Sequence, residues 1–90
     1  MDVIKKDGRV QELDKEKIKV SILNSSNDTE QVLNESDINI LVKDIIQKIT
    51  HLRTGYGNTS SYELIGAVID VLKRDGFHMI INSYLGYKKE

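Results

Sequence analysis

The sequence predicts an α+β fold in which a four-helix bundle is capped by a small three-stranded sheet. Apolar residues recur at the spacing of helix turns in the longer segments, and an Asp-Gly pair separates two short extended segments near the amino end. The length of 90 residues, with 39% hydrophobic residues, allows one compact domain and leaves no room for a catalytic barrel or a doubly wound sheet. We therefore expect residues 1–90 to form a single domain.

The amino-terminal segment has the pattern of a β-hairpin. Residues 3–6 and 9–13 have strand character, and Asp7 and Gly8 lie between them. An Asp-Gly pair in this position favours a two-residue type I′ turn. The sequence therefore predicts that two of the three strands are neighbours in the chain and in the sheet.

Two helices follow the hairpin, separated by a polar segment. Asp14 can cap a first helix over residues 15–23. The stretch 24–34 is rich in Asn, Ser and Asp, which predicts a loop with a short irregular extension of that helix. Ser36 opens the clearest helix of the chain, because the apolar residues after it form one continuous stripe. These residues are Ile38, Leu41, Val42, Ile45, Ile46 and Ile49.

A short strand and two further helices complete the predicted fold. Residues 49–53 have β-branched character and precede a glycine-containing loop at 54–58, which predicts the third strand. That loop lacks the lysine and the spacing of a phosphate-binding loop, so turn geometry is the favoured interpretation. Residues 60–63 match the S-x-x-E capping box and begin a helix that Gly76 ends. A last helix starts at Phe77, and its inward residues are again at helical spacing. These residues are Phe77, Ile80, Ile81, Tyr84 and Leu85.

Composition and motifs argue against several functional classes. Thirteen Lys and Arg against 14 Asp and Glu give a net charge of -1, so nucleic-acid binding is not expected. No apolar run approaches the ~20 residues of a membrane span, and the chain has no Cys, so we expect a cytoplasmic protein without membrane contact. Catalytic motifs are missing, and His51 and His78 lie far apart, which favours surface histidines and a protein that is not an enzyme.

Basic residues are concentrated near the hairpin turn. Lys5, Lys6 and Arg9 flank the turn, and Lys17 lies in the first turn of the next helix. Backbone N–H groups at a helix start are unpaired, so this combination is suited to a polyphosphate. The alternative is that the hairpin lysines only discourage edge-to-edge strand pairing. Taken alone, the residues favour this second interpretation.

Three segments together match the pattern of a known family. V-I-K-K-D-G-R-V at residues 3–10 and L-D-K-E-K-I at 13–18 resemble the opening of the ATP-cone, which has a strand, two basic residues, Asp-Gly, a second strand and Asp/Asn-x-x-Lys-Ile. Residues 59–65 are similar to the family's third-helix opening, and residues 76–88 resemble its closing helix. The resemblance covers nearly the whole chain. It implies a four-helix bundle capped by a three-stranded sheet, the same architecture that the periodicity predicts.

The resemblance also implies a regulatory domain that binds ATP or dATP and does no chemistry itself. The family is best known at the amino terminus of ribonucleotide reductases and in a bacterial repressor of their genes. By position in the family pattern, Lys5, Lys6 and Lys17 would contact the phosphates, with Mg²⁺ bound through the phosphate oxygens. Lys88 or Lys89 would approach the phosphates from the last helix.

The resemblance assigns six further residues to the nucleotide site. Two positions depart from the family pattern, since Lys6 stands where Arg is commoner and Glu63 stands where some members have His. Lysine lacks the planar fork of arginine, and a carboxylate near a polyphosphate requires a cation beside it or an outward rotamer. The six residues are Val3 and Ile18 for the adenine pocket, Gln11 and Asp14 for the base edge, and Thr59 and Glu63, one turn apart on the third helix, for the side facing the nucleotide.

Two classes of function are compatible with the resemblance. In the first, nucleotide occupancy sets self-association or binding to a protein partner such as a ribonucleotide reductase. In the second, a structural or protein-interaction domain keeps the fold without binding nucleotide. The sequence spans the cone alone, without the cysteines of the repressor's zinc ribbon or the barrel of the reductase, so we expect either a free-standing regulator or an excised regulatory domain.

Overall fold

The computed structural model describes residues 2–5, 7–52 and 58–89, with side chains as far as residue 86. Within these ranges the chain forms four helices and one small mixed sheet, which confirms the predicted α+β class. The elements in chain order are β1 (Asp2–Ile4), β2 (Val10–Glu12), α1 (Lys15–Asn27), α2 (Glu35–Leu52), β3 (Asn58–Ser60), α3 (Ser61–Arg74) and α4 (His78–Lys89).

The three strands form a sheet with β1 in the centre. The order is β2-β1-β3, with β1 antiparallel to β2 and parallel to β3. Val3 lies opposite Gln11 on one side and opposite Thr59 on the other. Val3 is only 3% exposed, whereas its neighbour Ile4 is 41% exposed. Because side chains alternate along a strand, the Val3 face of the sheet is the one that covers the bundle.

The hairpin forms, but its turn differs from the predicted type. Lys5 N–H donates to the Arg9 carbonyl at 2.7 Å, and Gly8 N–H donates to the Lys5 carbonyl at 2.9 Å. Gly8 has φ +88°, and no described residue other than glycine has a positive φ. A type I′ turn needs positive φ at Asp7 as well, so that prediction was wrong. The Asp7 carboxylate instead accepts a hydrogen bond from Arg9 N–H at 3.1 Å, which supports a longer loop.

Helix α1 is longer than predicted and remains regular to Asn27. Ser25 and Ser26 are buried, and their hydroxyls donate to helix carbonyls, those of Ser21 at 2.7 Å and Leu23 at 2.8 Å. Small hydroxyl side chains that bond back to their own helix can be buried without an unsatisfied polar group. The polar composition therefore did not end the helix where the sequence predicted an irregular extension.

Helix α2 continues through the segment that was predicted to be a strand. Residues 49–52 are helical, so the predicted strand at 49–53 is wrong over its described part, and the third strand begins at Asn58 instead. Ile49 is fully buried on the same stripe as Ile45, and the Thr50 hydroxyl donates to a carbonyl one turn earlier at 2.8 Å. Packing of that stripe overrides β-branched propensity. Arg53 and residues 54–57 of the predicted loop at 54–58 lie outside the described residues, and Asn58, the last residue of that loop, is in β3.

Capping groups define the boundaries of α2 and α3. Asn34 and Asp37 exchange side-chain to backbone hydrogen bonds at 2.8 and 3.3 Å, which starts α2 just before the predicted Ser36. The Ser60 hydroxyl accepts from Glu63 N–H at 3.1 Å, as the capping pattern predicts. Gly76, with φ +87°, ends α3 at the predicted position, since a left-handed residue there favours glycine.

The four helices enclose one apolar core. Helix α1 packs against α2 and α4, and α3 packs against the same two helices, so the bundle closes on itself. The core draws on every helix, as the apolar stripes predict. Its buried members are Ile18, Ile22, Ile38, Leu41, Ile45, Ile49, Ala67, Val68, Val71, Leu72, Ile80 and Tyr84.

Two isoleucines on α2 test this assignment of the core. Ile45 is fully buried and Ile40 is 55% exposed on the same helix. Ile45→Ala should lower the free energy of unfolding by about 2–5 kcal/mol, because it removes buried methyl groups and leaves a cavity. Ile40→Ala should change it by less than about 0.5 kcal/mol. Urea unfolding of both variants measures this difference, and equal losses would contradict the assignment.

Candidate functional site

A cleft of about 400 Å³ lies between the hairpin and the bundle. We call it the hairpin cleft. The sheet, α1, α3 and α4 all contribute to its walls. Its apolar walls are formed by Val3, Leu13, Ile18, Val20, Leu64 and Tyr84. Its polar lining is formed by Lys5, Gln11, Glu12, Asp14, Glu16, Lys17 and Ser21.

Six of the predicted site residues lie together around this cleft. They are Val3, Lys5, Gln11, Asp14, Lys17 and Ile18. Strand alternation and register place the first three on one face of the hairpin, and the first two turns of α1 carry the last two. A single local segment, strand-turn-strand-helix, therefore supplies all six.

The other predicted residues do not line the cleft or are not described. Thr59 lies on β3 rather than on the third helix, is 1% exposed, and its hydroxyl has no hydrogen-bond partner among the described residues. Glu63 is half-buried near the start of α3. Lys6 lies outside the described residues, as do the side chains of Lys88 and Lys89. Their roles stay predictions.

The two lysines of the cleft differ from Asp14 in their polar contacts. Lys5 is half-buried and Lys17 is exposed, and neither makes an ion pair within the described ranges 2–5, 7–52 and 58–89. One Asp14 oxygen accepts Glu16 N–H at 2.9 Å, so this carboxylate caps α1 as the sequence predicts. Two ammonium groups without carboxylate partners beside apolar walls suit an anionic ligand that has an apolar body.

A second recess of about 320 Å³ adjoins the hairpin cleft at the hairpin tip. We call it the tip recess. It shares Lys5, Leu64 and Tyr84 with the cleft, and its other lining residues are Asp7, Arg9, Ser61 and Ile65. The shared residues show that the two recesses are adjacent, with the tip recess on the side of the hairpin turn.

Tyr84 is a lining residue that the sequence reasoning placed only in the core. It is 3% exposed and borders both recesses. Burial raises the pKa of Tyr84 to about 12. The apolar spacing of α4 was sufficient to predict its inward orientation. Its place in the cleft depends on how α4 packs beside the hairpin, which sequence spacing does not specify.

The described residues contain no metal-binding cluster and no membrane-spanning helix. No group of three or more His, Asp or Glu in residues 2–5, 7–52 and 58–89 is placed to hold a metal ion. His51 and His78 are both exposed and line neither the hairpin cleft nor the tip recess. Across these same ranges, no helix has both the length and the apolar composition that crossing a membrane requires.

The fold and the cleft together define a small α+β ligand-binding domain. The whole chain, residues 1–90, matches the family model described as the ATP cone domain, so the chain belongs to the ATP-cone family. Domains of this family are regulatory rather than catalytic and bind nucleoside triphosphates. No curated protein matches the chain at a significant level of similarity.

The buried phenol of Tyr84 makes stability depend on alkaline pH. Its pKa is about 12 in the folded chain against an ordinary value of 10.0, so the folded state keeps this proton after the unfolded state has lost it. This contribution to stability is complete below pH 10 and is lost as pH rises to about 12. The free energy of unfolding should fall there by up to about 1.4 kcal/mol per pH unit.

The matched variant for this prediction is Tyr84→Phe. Other groups that titrate at high pH are the same in both proteins, so the difference between their stability-pH curves isolates the phenol. Urea unfolding between pH 9 and 12 should give a steeper decline for the native chain. Parallel curves would show that Tyr84 ionises at an ordinary pKa.

Proposed function

We propose that the hairpin cleft binds an adenine nucleoside triphosphate, ATP or dATP, together with Mg²⁺, and that occupancy controls self-association or binding to a protein partner. The observation that carries this proposal is the convergence of Lys5 and Lys17 on one apolar-walled cleft. Its volume of about 400 Å³ lies within the range of roughly 300–1,000 Å³ that is usual for small-molecule sites.

The apolar part of the cleft suits a nucleobase. Val3 and Ile18 are both buried, at 3% and 6% exposed, and Leu64 is half-buried on α3. A flat aromatic ring between such side chains loses contact with water on both faces, which favours binding. The half-buried Gln11 amide offers both a donor and an acceptor, which suits the polar edge of a base.

The charged part of the cleft suits phosphates that carry a divalent cation. Lys5 and Lys17 supply two positive charges, but Glu12, Asp14 and Glu16 also line the cleft. Because these carboxylates repel a bare polyphosphate, the two lysines alone leave it poorly compensated. Mg²⁺ binds phosphate oxygens with only one or two protein carboxylates, so it can enter with the nucleotide without a preformed metal site.

Regulation requires that the nucleotide favour one of two arrangements of the domain surface. The cleft joins the sheet to α1, α3 and α4, so a ligand bound there contacts elements that are distant in sequence. A change in their relative positions would alter the surface that a second copy of the chain or a partner contacts. We propose that this partner is linked to ribonucleotide reduction, as in the ribonucleotide reductases that carry ATP-cone domains.

Substitution of the two lysines tests nucleotide binding. Lys5→Ala should weaken ATP binding by roughly 100-fold and Lys17→Ala by roughly tenfold, because a charge-assisted hydrogen bond contributes more at the half-buried position than at the exposed one. Lys73→Ala removes an exposed lysine that lines neither recess and should leave affinity unchanged. Titration calorimetry with ATP and Mg²⁺ measures all three.

Absence of saturable ATP or dATP binding by the native chain at millimolar concentration would remove the proposal. It would favour a structural domain that keeps the fold without the ligand.

Coupling to assembly is tested by size-exclusion chromatography. The elution volume of the chain should shift when ATP or dATP is added with Mg²⁺, and the shift should disappear in the Lys5→Ala, Lys17→Ala double variant. An elution volume that ignores nucleotide, both for the chain alone and with a candidate reductase partner, would contradict the coupling while leaving nucleotide binding intact.

A further inference from the structure

Strand register places Arg9 on the cleft side of the hairpin. Lys5 N–H bonds to the Arg9 carbonyl at 2.7 Å, and the pairs before it are Ile4 with Val10 and Val3 with Gln11. Residues directly opposite in an antiparallel pair project from the same face, and alternate residues share that face. Arg9 therefore lies beside Lys5, and both line the tip recess.

The two recesses differ in their balance of charge. Among the described residues, the hairpin cleft is lined by three carboxylates, those of Glu12, Asp14 and Glu16, and by two lysines. The described lining of the tip recess has Lys5 and Arg9 and one carboxylate, that of Asp7. An anionic chain that extends from the cleft is therefore repelled less, and attracted more, at the hairpin end. This asymmetry gives a bound polyphosphate a direction, with its terminal group toward the tip.

Asp7 forms an ion pair with Arg9 that a bound anion would have to break. Arg9 Nε lies 2.7 Å from Asp7 Oδ2, and Arg9 N–H donates to Oδ1 of the same carboxylate at 3.1 Å. The two side chains are 71% and 55% exposed. Ion pairs this open to water contribute little net stability, so a phosphate of higher charge can displace the carboxylate. The planar guanidinium can then bind two phosphate oxygens at once.

We propose that Arg9 binds the terminal phosphate of the nucleotide and so ranks triphosphate above diphosphate, with Asp7 as an internal competitor that lowers this preference. The assignment rests on the proposed function of the hairpin cleft. It adds to that function the recognition of the number of phosphates. This role is assigned to Arg9 and not to Lys5 or Lys17, which line the hairpin cleft.

The test compares ATP with ADP rather than measuring ATP alone. Arg9→Gln should lower ATP affinity about tenfold and ADP affinity less than twofold, because only ATP has the phosphate that reaches the tip recess. Arg9→Lys, which keeps the charge without the planar fork, should fall between the native chain and Arg9→Gln. Calorimetric titration with each nucleotide and Mg²⁺ gives the ATP-to-ADP ratio for every variant.

Arg74→Gln is the matched control for the lost charge. Arg74 is 59% exposed, makes ion pairs of its own with Asp44 at 3.1 Å and Asp75 at 3.3 Å, and lines neither recess. Its substitution should leave the ATP-to-ADP ratio at the native value. An equal fall in both arginine variants would reflect overall charge and would overturn the role of Arg9.

Asp7→Asn tests whether the Asp7 carboxylate competes with the terminal phosphate for Arg9. Asparagine keeps the oxygen that accepts Arg9 N–H, so the loop is retained while the ion pair is lost. ATP affinity should rise about two- to threefold in this variant. Asp70→Asn is the control, since Asp70 is 60% exposed in a comparable pair with Lys48 at 3.3 Å. Asp70→Asn should leave affinity unchanged, and an equal rise in both would overturn the competitor role.

Nucleotide binding by the native chain and by Arg9→Gln separates the role of Arg9 from the function of the hairpin cleft. If the native chain binds neither ATP nor ADP, the proposed function itself is wrong. If the native chain binds ATP but Arg9→Gln keeps the native ATP-to-ADP ratio, the hairpin cleft retains its function and only the assignment of Arg9 is overturned. Thermal unfolding of each variant, with a midpoint close to native, shows that the exposed substitutions have left the fold intact.

Discussion

The pairing of β1 with both of its neighbours is the constraint on which the site depends. Val3 is the centre of that strand, opposite Gln11 and Thr59, and its buried side chain seats the sheet against the bundle. Since Lys5 and Arg9 are two and six residues from Val3, their positions beside the bundle follow from this contact and from strand register. A sheet of three-residue strands has few hydrogen bonds, so packing by Val3 and neighbouring apolar residues must supply much of its stability.

The charged residues in the described part of the chain include some that pair between helices and others that line the hairpin cleft. Lys48 pairs with Asp70, and Arg74 pairs with Asp44, so exposed charges on α2 and α3 compensate each other across the helix interface. Such pairs contribute little stability individually, and each positive charge in them is offset by a neighbouring carboxylate. Lys5 and Lys17 have no carboxylate partner of this kind in the ranges that are described. A chain with almost no net charge can therefore still attract an anion at one place.

Much of the fold could be predicted because helices and turns are local. The stripe around Ile45, the serine cap at residue 60 and Gly76 each act within a few residues, and all three were predicted correctly. One error arose where tertiary packing decides between local alternatives, at residues 49–52, where a buried isoleucine keeps a β-branched segment helical. The turn type and the length of α1 were missed because of local side-chain hydrogen bonds, those of Asp7 and of the two buried serines. The six cleft residues were assigned through the resemblance to the ATP-cone pattern, which covers the continuous segment that carries them, whereas Leu64 and Tyr84 enter the cleft only through packing of distant helices.

The central position of β1 also bears on how the chain reaches this structure during synthesis. Its antiparallel partner, β2, follows within a few residues, but its parallel partner, β3, is made only after α1 and α2. The edge of the hairpin that pairs with β3 therefore stays unpaired during synthesis until residues 58–60 have been translated. Pairing of α1 with α2 can begin before β3 has been made, whereas the β1–β3 pair requires that strand.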